Sequence, residues 1–233
     1  MFLMNCRNIQ RLQQHLNIFE YTILVFLLMS IPAFSQWSFG VNVAYENTGV
    51  NWKYNDIKKS ISNVSGFSVG PIVAYEAVEN YLDIQSGINF AMNGFSTQDQ
   101  SIFGQNHHLS ESEITRLYYL QLPIYAVGKL PVREVELLLE VGPILAAGVG
   151  SKTTTNYMIG DVKYTEEHND IFEDTLHPFN CMIHFGIGAE YMGARITAGY
   201  NLGVFDIVRQ DPNRNDAYSD GFFVSIGYMF DFD

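Results

Sequence analysis

Apolar and polar residues alternate along most of the chain after residue 36. The first example is the segment 37–46, where every second residue is large and apolar, as in Trp37, Phe39 and Val41. A period of two is the pattern of a β-strand whose two faces meet different surroundings. The same alternation recurs near residues 67–76, 82–93, 118–125, 135–148, 179–191, 194–202 and 222–230. The sequence therefore predicts eight strands, and this part of the chain shows no convincing helical period.

The composition of the less apolar face indicates which side of each strand meets lipid. That face consists mostly of Gly, Ala, Ser and Asn, whereas a strand face in water is normally rich in Lys, Glu and Thr. Small groups suit the crowded interior of a narrow barrel, so the apolar face is predicted to contact lipid. A soluble lipocalin-like barrel, with the same alternation turned inside out, is the alternative. Six aromatic residues near predicted strand ends fit an interfacial girdle: Trp37, Trp52, Tyr75, Tyr118, Tyr191 and Tyr228.

The connections between the predicted strands alternate in length. Long polar segments lie near 53–64, 97–113, 152–178 and 206–219, while tight connections lie near 78–80, 131–134 and 192–193. Outer-membrane barrels with an even number of strands have short periplasmic turns and longer outer loops. The sequence therefore predicts an all-β fold, an eight-stranded antiparallel up-and-down transmembrane β-barrel with both termini in the periplasm.

The N-terminal segment predicts export. Arg7 and Arg11 precede an apolar run at 21–31, Pro32 ends that run, and Ala33 and Ser35 have the small side chains of a signal peptidase site. We expect residues 1–35 to be a cleaved signal peptide and residues 36–233 to form one outer-membrane barrel domain, in a Gram-negative bacterium. An amphipathic or buried N-terminal helix is the alternative. Cleavage would leave Cys181 as the single cysteine and so no internal disulfide.

Composition supports a membrane protein and argues against one class of partner. Charged residues make up 16% of the chain, compared with about 25% in ordinary soluble domains. The formal net charge is −12, whereas binding of nucleic acid phosphates needs clustered Lys and Arg. Nucleic acid is therefore not expected as a partner.

Several short segments resemble a known family. They are Phe39-Gly40-Val41-Asn42, Gly66-Phe67, Tyr118-Tyr119-Leu120-Gln121-Leu122-Pro123, Glu140-Val141-Gly142-Pro143, Gly199-Tyr200-Asn201-Leu202-Gly203 and Gly227-Tyr228-Met229-Phe230. On these segments the chain resembles the PorT-like outer-membrane β-barrel proteins of Bacteroidetes-type bacteria over nearly its whole mature length. The resemblance implies an eight-stranded barrel inserted by the outer-membrane assembly machinery. It implies little about activity, because the link of the name-giving member to type IX protein secretion need not extend to its relatives.

A group of ionisable residues is predicted to point into the lumen. They lie toward the tight-turn end of the strands and comprise Glu76, Asp83, Lys129, Glu136, Glu140, Glu190 and Arg195. Glu190 and Arg195 flank the Met192-Gly193 turn, which makes them cross-strand partners. Five carboxylates face two bases, so we expect some carboxylates to be protonated, to share protons, to hold a cation or to reach water at the rim. A plug of salt bridges is the favoured interpretation, and a gated proton or ion path is the alternative.

The remaining polar residues give no strong motif. The third outer loop is acidic, with Asp161, Glu166, Glu167, Asp170, Glu173 and Asp174, and such a run is usually a solvated surface. Asp211, Asn213, Asn215 and Asp216 resemble the start of a calcium loop, but Asp216 stands in place of the glycine and Phe222 in place of the final glutamate. His107, His108, His168 and His177 lack the spacing of a metal site. We therefore expect no metal, no cofactor and no catalytic residue.

These observations predict a non-enzymatic outer-membrane protein with a filled lumen. It would serve as a membrane anchor whose loops or rim contact envelope partners, with a possible link to protein secretion or envelope assembly. A narrow ion or small-solute channel is one alternative, although eight strands leave little free lumen. A lipid-modifying outer-membrane enzyme is another, for which His177 with Glu173 or Ser151 would be the candidates. The sequence leaves the oligomeric state undetermined.

Overall fold

A computed structural model describes residues 36–53, 60–103, 107–159, 162–169, 172, 176–208 and 216–231. The predicted signal peptide, residues 1–35, lies outside the described residues and stays a prediction. In the described part of the chain, no helix is long and apolar enough to cross a bilayer.

The described chain consists almost entirely of β-strands. In chain order they are β1 (Trp37–Lys53), β2 (Ser60–Val78), β3 (Leu82–Gly87), β4 (Asn89–Phe103), β5 (His107–Val132), β6 (Val135–Ile159), β7 (Val162–Asn169), β8 (Phe179–Tyr191), β9 (Ala194–Gly203) and β10 (Asp216–Asp231).

The strands form one closed antiparallel ring. Each crossing strand pairs with its neighbours in the chain, and β1 pairs with β10 to close the ring. β3 and β4 are one crossing interrupted at Ile88, because both pair with β2 on one side and β5 on the other. β7 pairs with β6 in addition to the ring and does not form a crossing of its own. The ring therefore has eight crossings, which confirms the predicted up-and-down barrel.

The faces of the barrel wall follow the predicted alternation. On β1 the side chains from Trp37 to Tyr45 at every second position are exposed, and Val41 in the middle of them is 51% exposed. This apolar band is nine residues long on β1, which matches the roughly 9–11 residues of a membrane-crossing strand. Aromatic pairs mark its two limits, Trp37 with Tyr75 at 5.1 Å and Tyr45 with Phe222 at 6.3 Å between ring centroids. The large apolar side chains thus face outward to lipid, and the interpretation as a soluble barrel is wrong.

The predicted girdle is present at the tight-turn end. Tyr191, Tyr228 and Trp37 are exposed there. Tyr75, which pairs with Trp37, is partly exposed. Tyr118 lies toward the opposite limit of the band, where its ring stacks on Phe90 at 6.2 Å. The side chain of Trp52 lies outside the described residues.

The long connections are shorter than the sequence suggested, because the strands continue into them. β5 has 26 residues and β6 has 25, far more than a membrane crossing needs. β4 and β5 remain paired up to Phe103 and His107, and β6 and β7 up to Ile159 and Val162. The predicted loops at 97–113 and 152–178 are therefore largely a sheet that projects beyond the band. Their polar composition concealed the strands, because it lacks the alternation of apolar residues by which a strand is recognised in a sequence.

The tight turns carry the backbone geometry that close hairpins require. Asn80, Arg133 and Met192 have positive φ angles of 62°, 61° and 50°, and Gly193 has φ 79°. Two successive residues with positive φ at Met192 and Gly193 form the hairpin turn whose twist suits paired strands. Each of the three predicted tight connections thus contains a left-handed residue.

The outward face of the band is the basis of a first prediction. We expect Val41→Lys to lower the free energy of unfolding by about 2–4 kcal/mol, because this position lies midway between the two aromatic limits and lysine is costly at the middle of a bilayer. The measurement is equilibrium unfolding in urea with the protein in lipid vesicles. His168→Lys on β7, outside the band, is the matched control and should change the free energy by less than about 0.5 kcal/mol. Equal effects of the two substitutions would contradict the lipid-facing assignment.

Candidate functional site

The inner face of the barrel carries many buried polar side chains. A small cavity of about 40 Å³ remains in the middle of the band. Strands from all around the ring contribute to its wall, which includes Asn42, Glu46, Ser68, Gln85, Asn89, Gln121, Tyr125, Glu140, His184, Arg195, Thr197, Asn201, Phe223 and Ser225.

One part of the predicted ionisable group lies at the tight-turn end. Lys129 Nζ is 2.6 Å from Asp83 Oδ2 and 3.9 Å from Glu136 Oε2. Asp83 is buried, whereas the side chain of Glu136 is 35% exposed. Glu76 accepts a hydrogen bond from the backbone N–H of Asn80 at 2.7 Å, within the turn that follows β2. Glu76 therefore stabilises a turn, and it has no ion pair among the described residues.

Arg195 organises a second, deeper group. Its register partner is Glu190, and the guanidinium donates to Glu190 Oε2 from Nε at 2.8 Å and lies 2.7 Å from it at Nη2. Nη1 donates to Gln85 Oε1 on the far side of the lumen and lies 3.8 Å from Glu140 Oε1. The buried guanidinium of Arg195 thus gives a positively charged partner to two carboxylates, the buried Glu140 and the partly exposed Glu190.

His184 is a member of this group that the sequence analysis did not select. Its ring lies between those of Tyr125 at 4.1 Å and Phe223 at 4.5 Å, nearly parallel to both. Nε2 is 3.2 Å from Glu140 Oε2, and Nδ1 is 2.8 Å from Asn201 Oδ1. The inward position of His184 in the alternation was the available signal, but its partners come from four other strands, β5, β6, β9 and β10. Their proximity depends on the register around the ring, which a linear pattern does not contain.

Glu46 on β1 is a second buried, inward-facing residue that is not among the predicted ionisable group. It is buried against the cavity. In the amide orientation that satisfies both side chains, Asn93 Nδ2 donates to Glu46 Oε2 at 2.7 Å, and the Ser68 hydroxyl is a further hydrogen-bond partner. Its hydrogen-bond partners are thus neutral groups, in contrast to Glu140 and Glu190, which share Arg195.

A buried apolar cluster, which we call the plug, lies at the outer end of the lumen. We define it as the buried cluster of Val50, Phe95, Leu117, Tyr119, Ala146, Phe172, Leu176, Ile207 and Ala217. Val50 lies five residues beyond Tyr45 on β1, so the plug stands above the lipid-facing band. Phe172 and Leu176 come from the connection between β7 and β8, and Ile207 from the connection between β9 and β10. These connections therefore fold inward, which their polar composition did not predict.

Backbone contacts hold the plug in place. The N–H of His177 donates to Ile207 O at 2.7 Å, and the N–H of Ile207 donates to Ala217 O at 3.0 Å. Asp206 Oδ1 accepts hydrogen bonds from the backbone N–H groups of Val208 and Ala217, both at 3.0 Å. The ring of Phe172 packs edge-on against Tyr119 at 5.6 Å. The two outer connections are thus bound to each other and to the barrel wall.

The other sequence candidates do not assemble into a site within the described residues. Asp211, Asn213 and Asn215 of the weak calcium motif lie outside the described residues, as do Asp161, Asp170, Glu173 and Asp174 of the acidic loop, and nothing is described for the side chains of His107, His108 and Asp216. His168 is exposed on β7, and His177 packs against Phe205 at 6.0 Å. Across the part of the chain that is described, no group of three or more His, Cys, Asp or Glu residues is arranged to hold a metal ion.

A closed barrel with an apolar band outside, aromatic limits and a polar lumen defines an outer-membrane β-barrel protein. The family described as "Outer membrane protein beta-barrel domain" matches residues 24–209, and the chain belongs to it. The protein therefore lies in the outer membrane of a Gram-negative bacterium, with membrane lipid around the band.

The chain is distantly similar to solved structures of other outer-membrane proteins. Neisserial surface protein A is 14% identical, with 83% of this chain and 97% of that chain covered and a TM-score of 0.35. The translocator domain of the autotransporter NalP from Neisseria meningitidis is 10% identical, with coverages of 83% and 88% and a TM-score of 0.36. The outer membrane protease OmpT from Escherichia coli is 9% identical, with coverages of 84% and 97% and a TM-score of 0.37. No curated protein sequence matches the chain significantly.

Proposed function

We propose that the protein is a non-enzymatic anchor and interaction protein of the outer membrane, with a lumen that is closed to solutes. The observation that supports this proposal is the apolar plug above a side-chain-filled lumen. Leu176 and Ile207 are almost completely buried in the plug, and the cavity beneath it is only about 40 Å³. An aqueous pore needs a continuous wet path, and a plug of large apolar side chains interrupts such a path.

The same arrangement argues against an enzyme that modifies lipid. The pair of a histidine and a carboxylate in the lumen, His184 with Glu140, is buried beneath the plug and inside the wall. An acyl chain or a lipid headgroup outside the barrel has no route to it. At the outer rim, His177 packs against Phe205, and the Glu173 proposed as its partner lies outside the described residues.

A conductance measurement tests the closed lumen. We expect the purified protein in a planar bilayer to give no steady single-channel openings, because the ion pairs and the plug fill the path. Glu140→Gln provides the matched comparison, since it keeps the shape of the side chain and removes one buried charge. Steady openings of the unaltered protein that Glu140→Gln abolishes would contradict the proposal and support a gated ion path.

The resemblance to the PorT-like barrels is the reason to propose a class of partner for the protein. We infer that the protein acts with envelope proteins of secretion or assembly through the sheet that projects beyond the band. This inference is supported by the strands themselves, because β5 and β6 continue well past the lipid-facing region and present polar side chains outside it.

Site-specific crosslinking in intact cells tests the partner proposal. A photoreactive residue at Thr165 on β7 is expected to form a discrete crosslink to another envelope protein, because this side chain is exposed outside the band. The same residue at Val41 is the control and should react only with lipid. Discrete protein crosslinks from Val41, with none from Thr165, would instead indicate association through the lipid-facing wall.

A further inference from the structure

Two positively charged side chains lie opposite each other on the outward face of the barrel wall. Arg116 on β5 and Lys152 on β6 are register partners. Their neighbours along the strands, Thr115 and Thr153, are buried on the inner face, so the alternation turns Arg116 and Lys152 outward. Like charges at directly opposite positions of a sheet repel each other and destabilise the pairing. In a chain with 13 Lys and Arg against 25 Asp and Glu, two adjacent bases require an explanation.

Arg116 has no acidic partner that would offset this repulsion. It is half-buried, and within the described residues its guanidinium makes no ion pair and no hydrogen bond. Lys152 Nζ contacts Glu167 Oε1 at 2.8 Å, but both of these side chains are more than one-third exposed. An exposed pair of this kind is weak, so the ammonium group of Lys152 is available to a second anion. The two bases thus present several N–H donors that no described acceptor uses.

The two bases lie just above the lipid-facing band. Tyr118, two residues from Arg116 along β5, shares its outward face and stacks on Phe90 at the outer limit of the band. At about 3.3 Å per residue, Arg116 is roughly 7 Å farther along the strand than Tyr118. The hydrocarbon core of a bilayer is about 30 Å thick and the whole bilayer about 40–45 Å, so each headgroup layer is roughly 5–7 Å deep. Arg116 and Lys152 therefore lie at the level of the headgroups of the outer leaflet.

The wall beside these side chains is low enough for a headgroup to approach. Gly94 on β4 is the register partner of Arg116, and Gly150 on β6 is the register partner of Tyr118. Neither position has a side chain, and a Cβ atom added at Gly150 would meet nothing nearer than Tyr118 Cδ2 at 3.9 Å. The two glycines therefore keep the outward surface low on both sides of β5, where a headgroup can reach the bases.

We propose that Arg116 and Lys152 form a binding site for a phosphate group on the headgroup of an outer-leaflet lipid. A guanidinium donates two parallel N–H groups to a phosphate, and the ammonium group adds a second positive charge. The bound anion offsets the repulsion between the two bases, which explains why the wall tolerates them side by side. Their charge selects an anion, and their height above the band selects a lipid. This inference stands independently of the proposed function.

A matched pair of substitutions tests the site. We expect Arg116→Gln to raise the dissociation constant of bisphosphorylated lipid A about tenfold or more, measured by native mass spectrometry of the barrel in neutral micelles. Arg133→Gln is the control, because Arg133 is exposed in the tight turn at the opposite end of the barrel and loses the same charge. It should leave the dissociation constant within about twofold. Equal weakening by the two substitutions would mean unspecific attraction and would overturn the proposal.

Two comparisons on the unaltered protein remove the dependence on variants that fold. Lipid A without its phosphate groups should bind about tenfold or more weakly than the bisphosphorylated form, since the phosphates supply the contacts with the two bases. Equal binding of the two forms would contradict the site. Inorganic phosphate at the concentration of the lipid should leave binding of lipid A unchanged, because it lacks the acyl chains that hold the headgroup at this level. If inorganic phosphate displaced lipid A, the site would take a soluble anion and the assignment to a lipid would be wrong.

Discussion

Arg195→Met is expected to lower the free energy of unfolding of the barrel by about 3–5 kcal/mol. The substitution keeps most of the side-chain volume but removes the guanidinium that contacts Glu190, Gln85 and Glu140. Because Glu140 is buried, its carboxylate would lose a charged neighbour without gaining water, and breaking a buried ion pair costs this much. Urea unfolding in micelles, followed by the gel shift between folded and heat-denatured barrel, measures the effect.

An exposed ion pair of the same protein provides the control for Arg195. Lys152 Nζ is 2.8 Å from Glu167 Oε1, and the two side chains are 38% and 57% exposed. Exposed pairs contribute at most about 1 kcal/mol, so Lys152→Met should have little effect. If Arg195→Met were as mild as Lys152→Met, the lumen network would not hold the barrel together, and the interpretation as a structural plug of ion pairs would be wrong.

Leu176→Asp is expected to release the plug while the membrane-crossing part of the barrel stays folded. Leu176 is 1% exposed in an apolar cluster, so the substitution loses its packing and buries an unpaired carboxylate. A loss of about 3 kcal/mol or more raises the open population of this region about a hundredfold, since 1.4 kcal/mol is tenfold. We expect proteinase K, added from outside, to cleave the connections between β7 and β8 and between β9 and β10 faster by that factor.

The control for the plug is an equally acidic substitution on an exposed position. His168→Asp on β7 should leave the rate of cleavage within about twofold. If Leu176→Asp instead unfolded the whole barrel, seen as loss of the gel shift, the plug would be part of the cooperative core rather than a separately stabilised region. If it left cleavage unchanged, the inward fold of the two outer connections would be contradicted.

The wall of the barrel could be predicted because its signal is local. Val41 and Ala44 fall on opposite faces for no reason other than the two-residue period of a strand, and the structure places them outside and inside as the pattern indicates. The positions of the strand ends were harder to predict from the sequence. β5 begins at His107 rather than near Tyr118, because its outer half is mostly polar in sequence and lacks the regular alternation of apolar residues that indicates a strand.

The lumen network and the plug needed information that no local pattern contains. His184 meets Tyr125, Glu140 and Asn201 only because the stagger of four strands brings these side chains to one height. Phe172 and Leu176 belong to a polar connection, and their burial follows from the way that connection folds back over the mouth. The pair of Glu190 and Arg195, in contrast, could be predicted from the sequence. Two residues that flank a tight hairpin turn are cross-strand neighbours independently of how the other strands are arranged.

The length of β4, β5 and β6 has a consequence for recognition. Hydrogen-bonded sheet, rather than coil, extends above the lipid on this side of the molecule, up to the pairing of Phe103 with His107. Binding to paired strands costs less conformational entropy than ordering a coil would. A protein that binds to this projecting sheet would therefore keep more of its contact free energy as affinity.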